Sequence, residues 1–554
     1  MRFLWSVRPA GAESPPSRGI SGGMALLVLI TGALVGCQRE DFAARCAKDG
    51  ILLLGNGSDP KALDPQLVAS VGDSNIMRTL FEGLVSYDPS DDTKLEPGVA
   101  ERWESNDDKT VWTFHLRSTA RWSNGEPVTS RDFVYTYQRM LEPRLASPYA
   151  SMLYLLKNGQ AYNEEKIRDF SQVGVKAPDD HTLVCTLEIP AAYFPQVVKH
   201  TSWLPVHGPT IERFGSMTDR FTLWQRPGNH VSNGPFQLKS WRLSHSVVVA
   251  KNPHYWDAAK VSLNEIRFYP YETYTEERAF RGHRLHYTYT LPAELIRKYQ
   301  TQSPELLRME PYYGSYFFRV NVTHPPLDNP KVRRALALAI DRKSIVENIT
   351  QAGQAPATGF TPPSEGGYQP PDLMSFNPAA ARALLAEAGY PDGRDFPGFT
   401  LLINTSEAHR AIAEALQDMW RKHLGITSIE IGNREWTTFQ SEVIDMKYDV
   451  ARAGWIADYL DPATFLDMWR KGDSNNNTGW SQPDYDRLLR EAAVQPTVEG
   501  RFAKLREAEA ILLGDLPVLP VYWYTRSYLI RPEVKNWNPL LLDNHNYKYI
   551  RLEP

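Results

Sequence analysis

The sequence predicts an α/β protein with two lobes and a cleft between them. Its 554 residues are too many for one hydrophobic core, so two or three domains are expected. Short alternating runs typical of strands fill the first half, whereas strands and helices alternate within residues 399–453. Two such different architectures in one chain favour separate lobes.

The strand pattern of the first half is clearest near residue 110. "TVWTFHL" (110–116) alternates with the period of two that marks a half-buried strand, and "RWSNGEP" (121–127) predicts a turn. Thr129 with Asp132 three residues later fits a capping box, which predicts a helix over "SRDFVYTYQRML". Further alternating runs recur between turns from 171 to 260.

Two helices of the second half begin at an Asn-Pro pair. Asn329 and Pro330 precede "KVRRALALAI", and Asn377 and Pro378 precede "AAARALLAEA". Asparagine is a favoured N-cap, and proline suits the first helical position because its missing N–H would have no partner there. Gly389 is expected to end the second of these helices.

Residues 399–453 alternate between strand and helix. This order is the signature of a parallel, doubly wound sheet, in which ligands bind at the carboxyl ends of the strands. The loop "WIADYLDP" (455–462) follows the last of these strands and is therefore the candidate binding region. The predicted elements are strand 399–404, helix 407–423 followed by Gly425, strand 428–431, helix 436–446 and strand 448–453.

The amino terminus is predicted to be a targeting segment. Arg2, Arg8 and Arg18 precede the apolar run "MALLVLITGALVGC" (24–37), which is shorter than the roughly 20 residues that span a bilayer. The run ends in "LVGC", which resembles a bacterial lipobox and implies cleavage before Cys37 and lipidation of its thiol. The alternative is plain secretion with an incidental cysteine. Either way the mature chain works outside the cytoplasm.

Composition narrows the function classes. A net charge of −4 gives no reason to expect nucleic acid or an anionic membrane surface as a partner. The 15 Trp and 27 Tyr exceed what cores need and suit the partly apolar, partly wet wall of a binding cleft. Cys46 and Cys185, the cysteines left after Cys37, do not make a disulfide scaffold or a common zinc pattern, and whether they pair stays open.

Catalytic and metal motifs are missing from the sequence. "GISGG" (19–23) matches a nucleophile elbow only formally, because it lies in the predicted targeting segment. No HExxH, P-loop or dinucleotide fingerprint occurs, and the 13 His show no metal-ligand spacing. A carboxylate pair acting on a glycosidic bond stays open, although chance pairs abound among 65 acidic residues.

The stretch "RAGWIADYLDP" (452–462) holds the charged candidates. Asp461 stands directly before Pro462 and a helix pattern, which predicts an N-cap. Asp458 is either a solvated loop residue or a ligand contact. Arg452 lies within a strand pattern, where its charge needs a partner, either a local carboxylate such as Asp449 or a carboxylate of a ligand.

For several other polar and aromatic residues the sequence allows either a structural role or a role in ligand binding. Trp436 and Trp455 are either core residues or cleft walls. His409 is either an exposed residue of a first helical turn or a ligand contact, and Asn476 lies in the polar loop "DSNNNTGW" (473–480) as a candidate amide contact.

Stretches along nearly the whole mature chain carry a family resemblance. The chain resembles the oligopeptide-binding lipoproteins that serve bacterial ABC importers, a superfamily of large solute-binding proteins that also contains dipeptide and nickel receptors. "ASPYAS" and the "ARAGWxADY" pattern point to the oligopeptide branch. The matching stretches include "LDPQLV", "LFEGLV", "PGVAERWE", "VWTFHLR", "WSNGEPVTSRDFVYTYQR", "NGPFQL", "KNPHYWD", "NPKVRRALALAIDR", "NTSEAHR", "NREW", "DVARAGWIADYLDP", "SNNNT" and "PVLPVYWY".

The resemblance implies a periplasmic-binding-protein-like fold of type II with an extra inserted domain. Two lobes would close on an extended peptide like a hinged trap. The implied parts are the signal peptide 1–37, a discontinuous lobe I of 45–85, 205–308 and 525–554, an inserted domain II of 86–204, and an α/β lobe III of 309–524.

The resemblance also implies a binding site. Asp458 would bind the α-ammonium of the peptide, because a buried ammonium without a counter-charge costs several kcal/mol. Arg452 and His409 are the candidates for the peptide carboxylate. The residues that would line side-chain pockets are Tyr149, Trp436, Trp455, Asn476 and Tyr524.

Three departures from relatives bear on ligand preference. Ile456 stands where some relatives have a cysteine, and Val443 stands where some have a carboxylate-binding arginine. "GHRLHYTYTLP" (282–292) replaces a stretch that carries an acidic residue and two asparagines in relatives. Peptide length and side-chain preference are therefore expected to differ.

The implied function is that of a non-enzymatic receptor without cofactor or metal. It would capture oligopeptides in the periplasm or at the cell surface, anchored through lipidated Cys37, and deliver them as a monomer to the permease of an ABC importer. The alternatives are the same fold binding a dipeptide, a sugar or a metal chelate, an extracellular hydrolase, and a peptide chaperone or signal receptor without an import partner.

Overall fold

The computed structural model of the chain describes residues 41–68, 70–364, 367–473, 475–495 and 497–554. The predicted signal peptide and Cys37 lie outside these residues. Within them, no helix is long and apolar enough to cross a membrane.

The described strands group into one six-stranded sheet, two four-stranded sheets and two two-stranded ribbons. The strands are β1 Ile51–Gly55, β2 Val85–Tyr87, β3 Leu95–Pro97, β4 Ala100–Ser105, β5 Val111–Leu116, β6 Val175–Asp179, β7 Thr182–Thr186, β8 Phe236–Arg242, β9 Ser246–Lys251, β10 Glu265–Tyr269, β11 Leu307–Val320, β12 Ala355–Pro356, β13 Phe399–Asn404, β14 Ile429–Arg434, β15 Val450–Ile456, β16 Val518–Leu529, β17 Val534–Lys535 and β18 Arg551–Leu552.

The α-helices of the described residues vary from single turns to five turns. They are α1 Phe42–Lys48, α2 Val71–Leu80, α3 Ser130–Leu141, α4 Gly159–Asn163, α5 Phe194–Val197, α6 Gly208–Phe214, α7 Thr273–Arg281, α8 Ala293–Gln302, α9 Pro330–Leu338, α10 Arg342–Ile345, α11 Pro378–Glu387, α12 Glu407–Leu424, α13 Trp436–Ile444, α14 Ala463–Leu466, α15 Pro483–Ala493 and α16 Val498–Asp515.

The helix predictions that rest on capping residues are confirmed. At α3, the Asp132 carboxylate accepts a hydrogen bond from the Thr129 amide at 2.7 Å and completes the capping box. Asn329 and Asn377 accept hydrogen bonds from the first turns of α9 and α11. Helix α12 ends at Gly425 with a φ of 74°, a left-handed conformation that favours glycine.

The six-stranded sheet has the order β12-β16-β11-β15-β13-β14. Strand β13 pairs in parallel with β14 and with β15, as the alternation of strands and helices predicts. The sheet also contains antiparallel pairs that were not predicted, because β11 pairs antiparallel with both β15 and β16. Strands β11 and β16 come from outside the alternating stretch, so the pattern of that stretch did not predict them.

The last strand of the parallel set also differs from its prediction. Strand β15 begins at Val450 and runs to Ile456, three residues beyond the predicted end at 453. Its partner β11 explains the extension, because Gly314 and Ser315 pair with Ile456 and Trp455. The loop that follows therefore starts at Ala457.

Strands β11 and β16 are the longest of the described strands and pair with each other along most of their length. Their register breaks between Pro311 and Ser315. The predicted limits of lobe III, at 309 and 524, fall inside these two strands near the break. The two strands thus run from predicted lobe I into predicted lobe III, and the domain limits stay predictions.

Two large hydrophobic cores follow the two-lobed plan. One core takes its residues from predicted lobe I and predicted domain II together, from Leu52 to Ile550. The other takes nearly all of its residues from Tyr313 to Tyr522 and surrounds the six-stranded sheet. The antiparallel sheet β4-β5-β7-β6 and the sheet β1-β10-β9-β8 belong to the first core.

Candidate functional site

A cavity of about 260 Å³ lies beside the loop that follows β15. Its wall is shared by predicted lobe I, predicted domain II and predicted lobe III, so no single part of the chain could form it. The lining residues are Ser70, Val71, Ser74, Arg78, Tyr149, His200, Tyr312, Trp455, Ile456, Ala457, Asp458, Leu542 and Asn544.

Asp458 is the acidic residue of this wall. Its backbone amide donates to Thr464 Oγ1 at 3.2 Å, which fixes the loop, and its side chain is 17% exposed. Burial raises the pKa of the Asp458 carboxyl to about 7, and the hydrogen bond from the Tyr149 hydroxyl offsets only part of that rise. A carboxylate is therefore costly here until a cation joins it.

The neighbours of Asp458 come from predicted domain II. His200 Nε2 lies 4.0 Å from Asp458 Oδ1, and the rings of Tyr149 and His200 pack with their centroids 5.0 Å apart. Burial, with the nearby Arg78 guanidinium, lowers the pKa of His200 to about 3. His200 is thus neutral at physiological pH and supplies no counter-charge to Asp458.

Asp461 lies three residues further on and has other partners. Its Oδ1 accepts from the Ala463 amide at 2.8 Å, at the start of α14, although the N-cap of that helix is Pro462 and not the predicted Asp461. The same oxygen accepts from Arg501 Nη2 at 2.8 Å in a buried ion pair that the sequence did not indicate. The two aspartates of the loop therefore differ, since Asp461 pairs with Arg501, whereas no Arg or Lys of the described residues pairs with Asp458.

Arg452 points from β15 into a cluster of tyrosines. Its Nη2 donates to the Tyr524 hydroxyl at 3.1 Å, and its guanidinium lies 4.9 Å from the centre of the Tyr316 ring. Its Nε is buried without a hydrogen-bond acceptor among the described residues. The local alternative is ruled out here, because Asp449 pairs with His324 Nδ1 at 2.9 Å and accepts from the Thr400 amide.

His409 belongs to the same cluster. Its Nδ1 lies 3.2 Å from the Tyr316 hydroxyl, and the Tyr316 and Tyr522 rings stack with centroids 4.7 Å apart. Burial and the nearby Arg452 guanidinium lower the pKa of His409 to about 3. The predicted pair Arg452 and His409 is thus brought together, but neither residue lines the 260 Å³ cavity beside Asp458.

The remaining predicted contacts divide between cavity and periphery. Tyr149 and Trp455 line the cavity, and Tyr524 contacts Arg452. Trp436 is 53% exposed at the start of α13 and stacks on Phe439. Its role as a pocket wall stays a prediction.

Asn476 is occupied by its own loop. Its Nδ2 donates to the carbonyls of Trp469, Arg470 and Trp480 at 3.0 to 3.2 Å, and its Oδ1 accepts from Thr478. This amide organises residues 469–480, and its predicted contact with a ligand stays a prediction.

Several cavity residues escaped the sequence reasoning. Arg78, Ser74 and Ser70 lie on one face of α2 and its N-cap at spacings of four, and Asn544 comes from the carboxyl-terminal segment. The spacing of four was the one available signal for the helix face. Nothing local connected it with residues more than a hundred positions away.

The structure also locates the departures from relatives. Val443 is 7% exposed and packs in a small apolar cluster with Phe439 and Tyr448, so this position offers no charge to a ligand. Ile456 lines the cavity. In residues 282–292, His286 is buried, with its ring nitrogens paired to the Leu53 amide and the Ala43 carbonyl.

Cysteine and metal chemistry have no site in the part of the chain that the structure describes. Cys46 and Cys185 are both buried thiols and do not pair. Burial raises the pKa of the Cys46 thiol and that of Cys185, which makes both poor nucleophiles. No three His, Cys, Asp or Glu side chains of the described residues come together as metal ligands.

The chain is similar to known bacterial binding proteins. It is 37% identical over 521 residues to "Periplasmic oligopeptide-binding protein OppA" of Salmonella typhimurium, covering 92% of this chain and 93% of the relative. It is 35% identical to "Periplasmic murein peptide-binding protein MppA" of Escherichia coli, covering 86% and 88%. The solved structure of Haemophilus influenzae OppA in complex with RPPGFSPFR matches with a TM-score of 0.79 at 32% identity, covering 91% of this chain and 99% of that one.

A family model covers most of the cleft-forming sequence. "Bacterial extracellular solute-binding proteins, family 5 Middle" matches residues 94–477, which include most of predicted domain II and the loop with Asp458. The similar proteins share the two-lobed α/β fold seen here, as the sequence predicted. The chain therefore belongs to the bacterial extracellular solute-binding proteins of family 5.

Proposed function

We propose that this protein is an extracytoplasmic receptor that captures oligopeptides and delivers them to the permease of an ABC importer. The observation that carries the proposal is Asp458. It lines a cavity shared by both lobes, and no Arg or Lys of the described residues forms an ion pair with it. A buried carboxyl of this kind is stabilised as an anion by the ammonium of a ligand.

The second charged group of β15 supports an extended ligand. Arg452 precedes Asp458 by six residues, about 20 Å of extended chain. A peptide of several residues would be needed to place its ammonium at Asp458 and its carboxylate near Arg452 and His409. Backbone hydrogen bonds along such a peptide would add affinity without selecting side chains.

The similar proteins named above bind peptides, and the names of two of them, OppA of Salmonella typhimurium and MppA of Escherichia coli, place those two in the periplasm. A periplasmic location fits this chain. The finer proposal is that cleavage before Cys37 and lipidation of its thiol anchor the receptor to a membrane. Mass spectrometry of the purified mature protein tests it, because a lipidated Cys37 adds a diacylglyceryl mass that a simply secreted chain lacks.

Calorimetry with peptides tests the proposed function. The purified protein should bind tetrapeptides and return them intact after prolonged incubation, whereas a hydrolase would release fragments. Ligand carried through purification should be identified by mass spectrometry as peptide. Consistent recovery of a sugar or a metal chelate, with no heat from any peptide, would overturn the proposal.

A further inference from the structure

Arg78 is a second charged residue in the wall of the Asp458 cavity. It lies on α2 beside Ser74 and faces the same cavity as Asp458, Tyr149 and Asn544. No acidic side chain of residues 41–554, as far as they are described, forms a salt bridge with its guanidinium. The cavity wall thus contains both the proposed ammonium site at Asp458 and a guanidinium that forms no ion pair with the described residues.

The hydrogen bonds of Arg78 leave much of its donor capacity free. Its Nη2 donates to Asn75 Oδ1 at 2.9 Å, and its guanidinium lies beside the Tyr87 hydroxyl. Its Nε is buried and has no acceptor among the described residues. A guanidinium offers five N–H donors in a planar fork that matches a carboxylate, so this arrangement is incomplete without an acceptor.

His200 and Asn544, two further polar groups of the cavity wall, bring no negative charge to Arg78. His200, whose Nε2 lies 4.0 Å from Asp458 Oδ1, is neutral at physiological pH because burial and the Arg78 guanidinium lower its pKa to about 3. The Asn544 side-chain amide makes no hydrogen bond to the described residues and can donate to the same acceptor. The cavity therefore combines a carboxyl whose pKa is raised to about 7 with a guanidinium that stays charged.

We infer that Arg78, with Ser74 and Asn544 beside it, forms an anion subsite that takes a carboxylate of the ligand close to its amino end. This inference rests on the proposed function, since it adds a second charged contact to a ligand already held at Asp458. The carboxylate comes from one of two sources. It is the acidic side chain of the first residue of an oligopeptide, or the terminal carboxylate of a dipeptide.

The cavity volume suits such a fragment. About 260 Å³ is below the roughly 300–1,000 Å³ of sites that enclose a whole drug-sized ligand. It is adequate for the end of a longer chain. Asp458 and Arg78 would then hold opposite charges of one residue or of one short peptide, and the ligand would neutralise both.

Calorimetry with matched peptides tests the inference. Asp-Ala-Ala-Ala should bind the wild-type protein at least about tenfold more tightly than its isostere Asn-Ala-Ala-Ala, as expected for a charge-assisted hydrogen bond in a partly buried site. In Arg78→Gln this difference should vanish. In Arg102→Gln, which changes an arginine whose side chain is 60% exposed, the difference should persist.

A second arm separates the two sources of the carboxylate. If the terminal carboxylate is the ligand group, Ala-Ala should bind the wild-type protein about tenfold more tightly than Ala-Ala-amide, and Arg78→Gln should remove that preference. Arg78→Lys keeps the charge and should keep part of either preference. Retained binding of Asn-Ala-Ala-Ala and an unchanged Tm show that each variant is folded.

The outcomes separate this inference from the proposed function. Equal affinities within both peptide pairs in the wild-type protein would overturn the inference and leave peptide capture intact. A preference for the carboxylate that survives in Arg78→Gln would overturn it as well. Absence of binding by every peptide would overturn the proposed function together with the inference.

Discussion

The two charged ends of the β15 region are built in opposite ways. Asp458 faces a cavity whose wall comes from predicted lobe I, domain II and lobe III, and it forms no ion pair with an Arg or Lys in the part of the chain that the structure describes. Arg452 lies in a cluster with Tyr316, His409 and Tyr524, and all of these residues belong to predicted lobe III.

Because their surroundings differ, we expect Asp458 and Arg452 to contribute differently to ligand binding. The wall of the Asp458 end comes from all three predicted parts of the chain, so we expect a ligand bound there to stabilise a closed arrangement of the predicted lobes. The residues around Arg452 all belong to predicted lobe III, so their arrangement does not depend on contact between the predicted lobes. The Arg452 guanidinium packs on the Tyr316 ring. We therefore expect the first end to dominate affinity and the second to adjust it.

We expect Asp461 to contribute to the stability of the fold, whereas we expect Asp458 of the same loop to contribute to ligand binding. Asp461→Ala would leave Arg501 buried without its carboxylate, and breaking a buried pair costs about 3–5 kcal/mol of unfolding free energy. Denaturant unfolding of the variant measures this loss. Asp445→Ala, which removes an exposed pair with Lys447, is the control and should unfold almost as the wild-type protein does. A stability of Asp461→Ala equal to that of the control would contradict the assignment.

Arg452 tests the carboxylate end. Arg452→Gln should weaken binding of a free tetrapeptide by about 1.5–3 kcal/mol, because a charge-assisted hydrogen bond is lost. The same variant should bind the amidated tetrapeptide as the wild-type protein does. Calorimetry with both peptides measures the effect. An equal loss for the free and the amidated peptide would show that Arg452 supports the sheet and does not contact the carboxylate.

The raised pKa of Asp458 makes binding depend on pH. The free carboxyl has a pKa of about 7, and a bound ammonium would lower it. The anion is present above pH 7, so affinity should fall by up to about tenfold, or 1.36 kcal/mol, for each pH unit below 7. Peptide binding at pH 6 should also release a proton, which calorimetry in buffers of different ionisation enthalpy detects.

The pH profile has a matched control. In Asp458→Asn the affinity should be nearly constant between pH 5 and 7, since the titrating carboxyl is gone. A wild-type affinity that does not change across this range would contradict the assignment of Asp458 as the counter-ion.

The smallest expected change in peptide affinity comes from the contact between Tyr193 of predicted domain II and Tyr459 of predicted lobe III. The Tyr193 ring stacks on Tyr459, with centroids 5.9 Å apart, and the Arg501 guanidinium lies 4.6 Å from the Tyr193 ring centre. Tyr193→Ala should weaken peptide binding by about 0.5–1.5 kcal/mol, because an aromatic contact that joins the lobes is lost. Tyr274→Ala, at a residue that is 58% exposed, should bind normally. Equal affinities of the two variants would show that the contact does not contribute to closure.

Local signals predicted the helices and the strands well. Thr129 with Asp132, and each of the two Asn-Pro pairs, act within one helical turn, so the sequence contains the whole interaction. The end of β15 was misplaced, because Ile456 is held in the strand by Gly314, which lies 142 positions earlier. Strand ends depend on partners, and partners are not local.

The sequence pointed to some of the charged and aromatic residues that the structure brings together, and it missed others. Asp458, Arg452 and His409 follow from a sheet-end loop and a resemblance, and Tyr149 and Trp455 line the cavity. Arg78, His200 and Asn544 have no local feature that connects them with Asp458, because only tertiary packing brings them together. Asn476 shows the converse, since its polar loop indicated a contact and its amide proves to be engaged within the loop.

The central claim is that Asp458 binds the amino end of a peptide, and removing the ammonium tests it most directly. Acetylating the amino terminus of a tetrapeptide should cost the wild-type protein about 2–5 kcal/mol of binding free energy, because a charge pair in a largely desolvated cavity is broken. In Asp458→Asn, calorimetry should find the free and the acetylated peptide bound with nearly equal, weak affinity. A loss on acetylation that is the same in both proteins would contradict the account.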